Sequence, residues 1–478
     1  MAEATEPQKS ILERALGLFT EVKSGEAPTA LLLTLNVFLL LSSYYIIKPV
    51  REGLIISVEG GEKYKYYLGG AIAAALFFLV PLYSEVAKRL PRNRLVVGVT
   101  LFFASHLAVF YGLSTIDSLR PKIAFAFYIW VGVFNMMVVS QFWSFANDIY
   151  DEESGKRLFA LIGIGASSGA AIGSLIGALL IPLFGVYQML LVAGAFLGVC
   201  AVIFQWVHVR ESRRSKRPPQ VKAEEPAETD DDGDADAAES DGAAPKKEMG
   251  PYQMVSKYRY LTLIAVFSLL FTLINTNGEY LLSSLVKMKA SGLVESGEMA
   301  KSGVRDWIGA WYAEFFLYVN ILGAVLQAFV VSRLVKFGGL KLAFLIYPVI
   351  ALLDATLLAF FPLLILARIG KTLENAADYS INNTARNMLW LPTTRQMKYT
   401  AKQAVDSFFI RLGDVIAALF VYVLADLLGF GVRIFAGANT ILGIITIIVA
   451  LATLREQPKI RAMRERGELP GDEEPEGA

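Results

Sequence analysis

The chain of 478 residues carries 45 lysines and arginines against 44 aspartates and glutamates, so its formal net charge is only +1. Hydrophobic residues make up 55%, charged residues 19%, and the mean hydropathy is +0.48, whereas a soluble domain has about 25% charged and about 45–50% apolar residues. This composition excludes an ordinary soluble enzyme and a disordered chain, and the balanced charge gives no general attraction to nucleic acid. The class of protein that these exclusions leave is a polytopic membrane protein.

Twelve stretches are long and apolar enough to cross a bilayer core of about 30 Å, which needs roughly 20 residues per helix. Their apolar runs are continuous rather than alternating, which predicts an all-α membrane protein and excludes a β-barrel. The predicted spans cover residues 29–50, 66–84, 94–114, 121–145, 158–182, 187–208, 259–286, 308–331, 341–361, 363–387, 402–426 and 432–454.

The pattern divides the chain into five parts. They are an N-terminal segment (1–28), a six-helix half (29–209), an acidic linker (210–256), a second six-helix half (257–455) and a tail (456–478). The N-terminal segment is either an amphipathic helix on the membrane surface or a frayed end. The linker is rich in Asp, Glu and Ala, which indicates a solvated connection; an acidic binding segment is the alternative.

Basic residues concentrate in the loops after even-numbered spans and in the tail, including Lys88, Arg89, Arg333 and Lys336. Short cytoplasmic loops carry the excess of Lys and Arg in membrane proteins. We therefore expect both termini in the cytoplasm and a multi-pass protein of the bacterial inner membrane.

Placing a charged residue inside a span costs about 2.5–3.5 kcal/mol on insertion scales, so a charge found there indicates a functional role. Lys48, Arg51 and Glu52 share one face of span one by i, i+3 and i+4 spacing. Span ten carries a polar stripe from Arg368 to Arg386 at spacings of three and four residues. We expect these groups to face a shared cavity; the alternative is paired structural ions or side chains that snorkel to the span ends.

The predicted site has three groups of side chains. The candidate cations are Lys48, Arg51, Arg368, Lys371 and Arg411, and the candidate carboxylates are Glu52, Glu279, Asp378 and Asp414. The polar and aromatic candidates are Tyr44, Tyr45, Asn135, Gln141, Trp143, Asn275, Asn277, Asn375 and Asn382. The single cysteine, Cys200, and the distant histidines, His106 and His208, predict no metal site and no cofactor.

Span five repeats small residues every four positions from Gly165 to Gly177. A phosphate-binding glycine loop would need a following Lys-Ser/Thr and a flanking strand, which the sequence lacks. Close packing against another helix is the better interpretation.

Six plus six spans joined by a long linker resemble the major facilitator superfamily, whose halves are repeats with a solute site between them. The chain is similar to the ATP/ADP translocases, a facilitator-like branch, at Lys48–Glu52, Phe142–Asp148, Lys156-Arg157, Gly163–Gly169 and Ala401–Gly413. This resemblance implies that Arg51-Glu52 stands for a charged pair that bears on transport, and that Glu279 matches a glutamate of helix seven.

Two further family positions differ in this chain. The resemblance implies that a glutamate of helix four corresponds to Val131 and that a lysine of helix eleven corresponds to Asp414. Membership in the wider family survives these changes, whereas exchange of ATP for ADP becomes doubtful.

The favoured hypothesis is a secondary transporter, not an enzyme, that moves a nucleotide or other anion such as ATP or ADP by alternating access. In it, arginines and lysines neutralise phosphates, and Tyr44, Tyr45 or Trp143 stacks on a base. A proton-coupled carrier of another solute, using Glu52, Glu279 or Asp378, is the alternative; a non-transporting receptor is the third. We expect the lipid bilayer and the solute as partners, no nucleic acid, and a monomer.

Overall fold

The computed structural model describes residues 23, 26–150, 152–215 and 249–470, and this part of the chain contains helices and turns but no strand. The predicted amphipathic helix and most of the predicted acidic linker lie outside the described residues. Helices dominate because an apolar segment in hydrocarbon must satisfy its backbone hydrogen bonds within itself.

Each half contributes six long helices. Those of the first half are α1 (Ala27–Ser57), α2 (Gly61–Arg89), α3 (Arg92–Ser114), α4 (Arg120–Ile149), α5 (Glu152–Phe184) and α6 (Gln188–Ser215). A short helix, Pro251–Lys257, precedes the second half. The helices of the second half are α7 (Arg259–Glu295), α8 (304–338), α9 (340–360), α10 (364–388), α11 (Arg395–Leu427) and α12 (Val432–Glu465).

The described chain has ten segments that are long and apolar enough to span a membrane. One of them, Lys301–Phe360, has 60 residues, and a single helix of that length would be about 90 Å long, three times the bilayer core. Gly339, at φ 63°, interrupts it and separates α8 from α9. Helix α10 is polar and is not among the ten. Counting α8 and α9 separately and adding α10 gives twelve long helices in the described chain. The predicted all-α fold is therefore confirmed.

An even number of helices places the first and last described helix ends on the same side of the bundle. We call the side that holds Ala27 and Glu465 the terminal end, and the opposite side, which holds Ser57 and Val432, the far end.

The glycines of α5 let its backbone approach α1. A Cβ atom on Gly165, Gly169 or Gly173 would lie 2.6, 2.3 or 2.4 Å from a backbone carbonyl oxygen of α1, and Ser42 donates a hydrogen bond of 3.0 Å to the Gly169 carbonyl. This confirms the predicted packing role. The sequence Gly165-Ala-Ser-Ser-Gly169 also has the spacing of a hydrolase nucleophile elbow, but it lies inside a helix and not at a strand–helix turn.

We expect Gly169→Val to lower the free energy of unfolding by about 1–3 kcal/mol, because overpacking forces the two helices apart. Gly163→Val is the matched control, since a Cβ atom on Gly163 meets nothing within 4 Å. Thermal unfolding of both variants in detergent measures the difference. Equal melting temperatures for the two variants would contradict the packing role.

The two halves touch from the middle of the bundle to the far end. In mid-bundle, Asn320 of α8 donates to Ser174 of α5 over 3.1 Å. At the far end, Asp306 accepts a hydrogen bond of 2.9 Å from the Val186 amide, and Asp426 of α11 binds Lys63 of α2. All hydrogen bonds that the structure describes between the halves lie in this region, so the halves are clamped together there.

An apolar cluster seals the same region. Ile55, Ile56 and Tyr66 of the first half pack with Tyr280 and Ile308 of the second half, and all are buried. Removing this much apolar surface from water favours the closed far end.

Candidate functional site

A cavity of about 450 Å³ lies between the halves, lined by α1, α2 and α4 from the first and by α7, α8, α10 and α11 from the second. The Glu52 and Lys65 side chains, nearest the far end, are 2% and 5% exposed. Those of Arg411 and Asp414 are 57% and 39% exposed. Together with the apolar seal, this gradient indicates that the cavity is closed toward the far end.

Eight charged side chains line the cavity. They are Lys48, Arg51, Glu52, Lys65, Glu279, Asp378, Arg411 and Asp414. The first half supplies three of the cations and one carboxylate, and the second half supplies three carboxylates and one cation. The two walls therefore carry opposite formal charges.

Glu52 is the only carboxylate on the wall of the first half, and two cations share it. The Nε atom of Arg51 donates to Glu52 over 3.0 Å, and the Nζ atom of Lys65 donates to the other carboxylate oxygen over 3.0 Å. The Arg51 guanidinium also lies over the ring of Tyr128, 4.8 Å from its centroid. One negative charge cannot balance two positive ones, so this wall keeps an excess of positive charge.

Lys48 adds a third cation to this wall. Its ammonium lies over the ring of Phe316, 4.0 Å from the centroid, and 5.4 Å from the centroid of Tyr45. No carboxylate pairs with it among the described residues. A half-buried ammonium held only by aromatic faces can still take an anionic partner.

The wall of the second half is negative. Glu279 accepts a hydrogen bond of 3.0 Å from Asn375, and Asp378 accepts one of 2.9 Å from Asn382. Asp414 pairs with Arg411 at 3.4 Å, which leaves two carboxylates without a cation on the cavity surface.

Half of the residues predicted from the sequence line the cavity. These are Lys48, Arg51, Glu52, Asn275, Glu279, Asn375, Asp378, Arg411 and Asp414. The structure thus brings together charged side chains from α1, α7, α10 and α11, as their periodicity led us to expect.

Arg368 and Lys371 differ from the expectation that they line the cavity. Arg368 turns sideways from α10 to α8, where it pairs with Glu314 at 2.9 Å and lies over the ring of Trp311. Lys371 is completely buried behind the cavity wall. Its ammonium reaches Glu279 at 3.8 Å, so it acts on the cavity only through that carboxylate.

The predicted residues of α4 also lie elsewhere. Trp143 packs on Phe142 and Phe159, with centroids 5.4 and 5.8 Å away. Gln141 is buried, and neither it nor Asn135 lines the cavity. The face of α4 that reaches the cavity is that of Tyr128.

The remaining predicted residues support the wall from behind. Tyr44 and Tyr45 stack edge-on with centroids 5.2 Å apart, and neither lines the cavity. Asn277 binds Asn439 of α12 over 3.2 Å, which holds α7 against its neighbour. Asn382 binds Asp378 of its own helix.

Helix α2 contributes to the cavity, although the site predicted from the sequence contains none of its residues. Lys65, Tyr66 and Tyr67 line the cavity, yet the predicted second span began only at residue 66. Their signal is the run Tyr64-Lys65-Tyr66-Tyr67, in which a lysine is enclosed by aromatic residues in the second turn of the helix. A lysine so near a helix end ordinarily extends its ammonium to water, so nothing in the sequence was a reason to place Lys65 in the cavity.

A family model described as Major Facilitator Superfamily matches residues 68–370. The chain is 21% identical over 465 residues to ADP,ATP carrier protein 1 of Rickettsia typhi, covering 86% of this chain and 88% of that protein. It is 22% identical over 447 residues to ADP,ATP carrier protein 1 of Chlamydia muridarum, covering 79% and 78%. The resemblance predicted from the sequence is confirmed.

Solved structures share the architecture. A bacterial homologue of the human lysosomal transporter Spinster, inward-facing and unoccupied, superposes with a TM-score of 0.58 at 14% identity, covering 92% of this chain and 99% of that one. The nucleoside transporter NupG gives 0.56 at 12% identity, with 89% and 98% covered. At these identities the likeness concerns the fold alone.

Proposed function

Because the chain belongs to the Major Facilitator Superfamily, we propose that it is a secondary transporter, and not an enzyme, that moves nucleotides such as ATP and ADP across a membrane by alternating access. The similarity to two ADP,ATP carrier proteins over most of their length supports this substrate class. The strongest structural support for this substrate class is the excess of positive charge on one wall of the central cavity.

Phosphate groups suit that wall. The Nε and Nη2 atoms of Arg51 donate to Glu52, so its Nη1 end can bind phosphate oxygens, whereas Lys48 and Lys65 act as point charges. Tyr128 borders the same wall, and its ring faces the Arg51 guanidinium and supports its orientation. A volume of about 450 Å³ falls within the roughly 300–1,000 Å³ of small-molecule sites.

The negative wall then contributes to release. When a polyanion enters between the walls, Glu279 and Asp378 repel it while Arg51 and Lys48 attract it. This opposition keeps the site from binding so tightly that transport stops. A carrier must release its solute as well as bind it, so it needs both the attraction and the repulsion.

The resemblance implies that Asp414 replaces a lysine of the translocases and that Val131, which is fully buried away from the cavity, replaces a glutamate. Arg411 lies one turn from Asp414 and supplies a cation to the same wall. The proposal therefore extends to nucleotides and other phosphate-bearing anions as a class, with ATP/ADP exchange as its most specific form.

The basic loops and tail lie at the terminal end, which supports a cytoplasmic location for that end and both termini. In this orientation the closed far end faces away from the cytoplasm. The bacterial inner membrane fits this arrangement. Since one chain encloses the whole cavity, we infer that a monomer suffices for transport.

Counterflow in reconstituted vesicles tests the proposal. Vesicles preloaded with unlabelled ADP should accumulate external labelled ATP and ADP well above protein-free vesicles. Labelled phosphate tests whether the anion needs a nucleoside. Accumulation of neither nucleotide, with correctly folded protein in the vesicles, would rule out nucleotide transport.

A further inference from the structure

A second group of ionisable side chains lies behind the cavity, between α9 and α10. Tyr347 and Asp354 come from α9, and Lys371 and Glu374 come from α10. Lys371, Glu374 and Asp354 are 0%, 2% and 6% exposed. None of the four lines the cavity, so the anion site described above does not explain them.

Lys371 is the centre of this group. Its ammonium lies 3.1 Å from Glu374 and 3.8 Å from Glu279, and it donates to the side-chain oxygen of Asn275 over 2.9 Å. Glu374 also accepts a hydrogen bond of 2.7 Å from the Tyr347 hydroxyl. Lys371 thus touches a buried carboxylate on one side and a cavity carboxylate on the other.

The Asp354 carboxyl group lies against Gly370, the residue that precedes Lys371 on α10. A Cβ atom on Gly370 would lie 1.8 Å from the Oδ1 atom of Asp354, so only glycine at position 370 leaves room for the carboxyl group. Glycine inside a helix costs about 1 kcal/mol relative to alanine. The described residues offer Asp354 neither a hydrogen bond nor an ion pair.

The charges of the group do not balance. Lys371 is a single ammonium buried with two carboxyl groups, those of Asp354 and Glu374. It is also shared with Glu279, which faces the positive wall of the cavity. A buried carboxylate without a partner costs several kcal/mol. Binding a proton removes that cost, because a neutral carboxyl group is far cheaper to bury.

We propose that Asp354 and Glu374 form a proton-binding site and that Lys371 couples it to Glu279 in the central cavity. A proton from the cavity water adds to one carboxylate oxygen and gives a neutral carboxyl group. It leaves by the reverse step to the same water. Glu279, whose side chain is 24% exposed and lies 3.8 Å from Lys371, is the carboxylate through which this group meets the cavity.

The position of the Lys371 ammonium links proton binding behind the cavity to anion binding in it. With the proton bound, Glu374 and Asp354 hold Lys371 less strongly, and its ammonium moves to Glu279 and cancels the charge that repels an anion. With the proton released, Lys371 returns to Glu374, and Glu279 again opposes the anion. Proton and anion therefore bind together, which goes beyond the proposed nucleotide transport and uses it in one of the two tests.

Infrared spectroscopy of the full-length protein in lipid nanodiscs tests the site without any solute. The wild type should show a carboxylic-acid C=O band that disappears on titration to alkaline pH and is missing or reduced in Asp354→Asn. Glu374→Gln is the second variant in case the first does not fold. Glu314→Gln is the matched control, since Glu314 lies on α8 and pairs with Arg368 outside the cavity, and it should keep the band.

Linkage tests the coupling with labelled ADP as the probe. One proton bound together with the anion raises the apparent Kd by about tenfold per pH unit above the titration midpoint. This slope should persist in Glu314→Gln and flatten in Asp354→Asn and Glu374→Gln. An unchanged slope in both variants, or an unchanged infrared band, overturns the proposal. If the wild type binds no ADP, nucleotide transport fails and the infrared result alone decides the proton site.

Discussion

Arg51→Gln is expected to weaken nucleotide binding by about 30- to 150-fold, since hydrogen bonds to charged groups contribute about 2–3 kcal/mol. Arg51 is the only arginine on the positive wall and lies between Glu52 and the ring of Tyr128. Its loss removes a guanidinium that can donate to phosphate, whereas Lys65 remains to neutralise Glu52. The buried carboxylate thus keeps a partner, and the protein should still fold.

Binding of labelled ADP and counterflow into vesicles measure this effect. Arg368→Gln is the control, because this arginine lies in the same bundle but binds Glu314 outside the cavity. We expect the control to transport at nearly the wild-type rate. Equal losses in the two variants would show that the positive wall has no special role.

The second large effect is expected from Lys287→Met, which should shift the far end from the closed toward the open conformation. Lys287 of α7 donates hydrogen bonds to the carbonyls of Ile56, Ser57 and Val58 over 2.8, 3.1 and 3.1 Å. These carbonyls end α1 in the other half and carry its negative dipole charge. The cation therefore caps a helix across the interface only while the far end is closed.

Loss of one charged hydrogen-bonding group, at about 2 kcal/mol, would shift the closed–open equilibrium by about 30-fold. Ile308→Cys is a suitable reporter, because Ile308 is fully buried in the apolar seal. The natural cysteine, Cys200, is buried and gives little background. A polar maleimide should label Ile308→Cys much faster when Lys287→Met is also present.

Lys289→Met is the matched control for this experiment. Lys289 lies two residues further along α7 and is exposed, so its removal should leave the labelling rate unchanged. The same rate with Lys287→Met and Lys289→Met would contradict the cross-half cap.

Periodicity predicted the cavity residues of α1 because an unbroken helical turn keeps Lys48, Arg51 and Glu52 on one face. It was less successful for α10, where Asn375 and Asp378 face the cavity but Arg368 and Lys371 do not. A π-helical turn, Asp378–Asn382, follows in that helix. It rotates the positions that follow it, and beyond it Arg386 pairs with Asp406 of α11. Arg368 and Lys371 precede this turn and pair with Glu314 and Glu374 instead of facing the cavity.

The buried group behind the cavity could not have been found by pattern. Asp354 occupies a mostly apolar helix that offers no polar stripe to mark it, and only its contact with Gly370 on the neighbouring helix relates it to Lys371. Such a contact depends on which helices are adjacent and how they are rotated. Neither quantity follows from the spacing of residues along one helix.

The sequence by itself determined that this chain crosses a membrane as two sets of six helices, because the cost of placing polar backbone in hydrocarbon permits little else. It also determined that certain spans carry charges too expensive to be incidental. Only the tertiary structure decided which charges share one cavity, with cations on one wall and carboxylates on the other. The reason is that coulombic interactions depend on distances between helices, which packing sets, and not on positions along the chain.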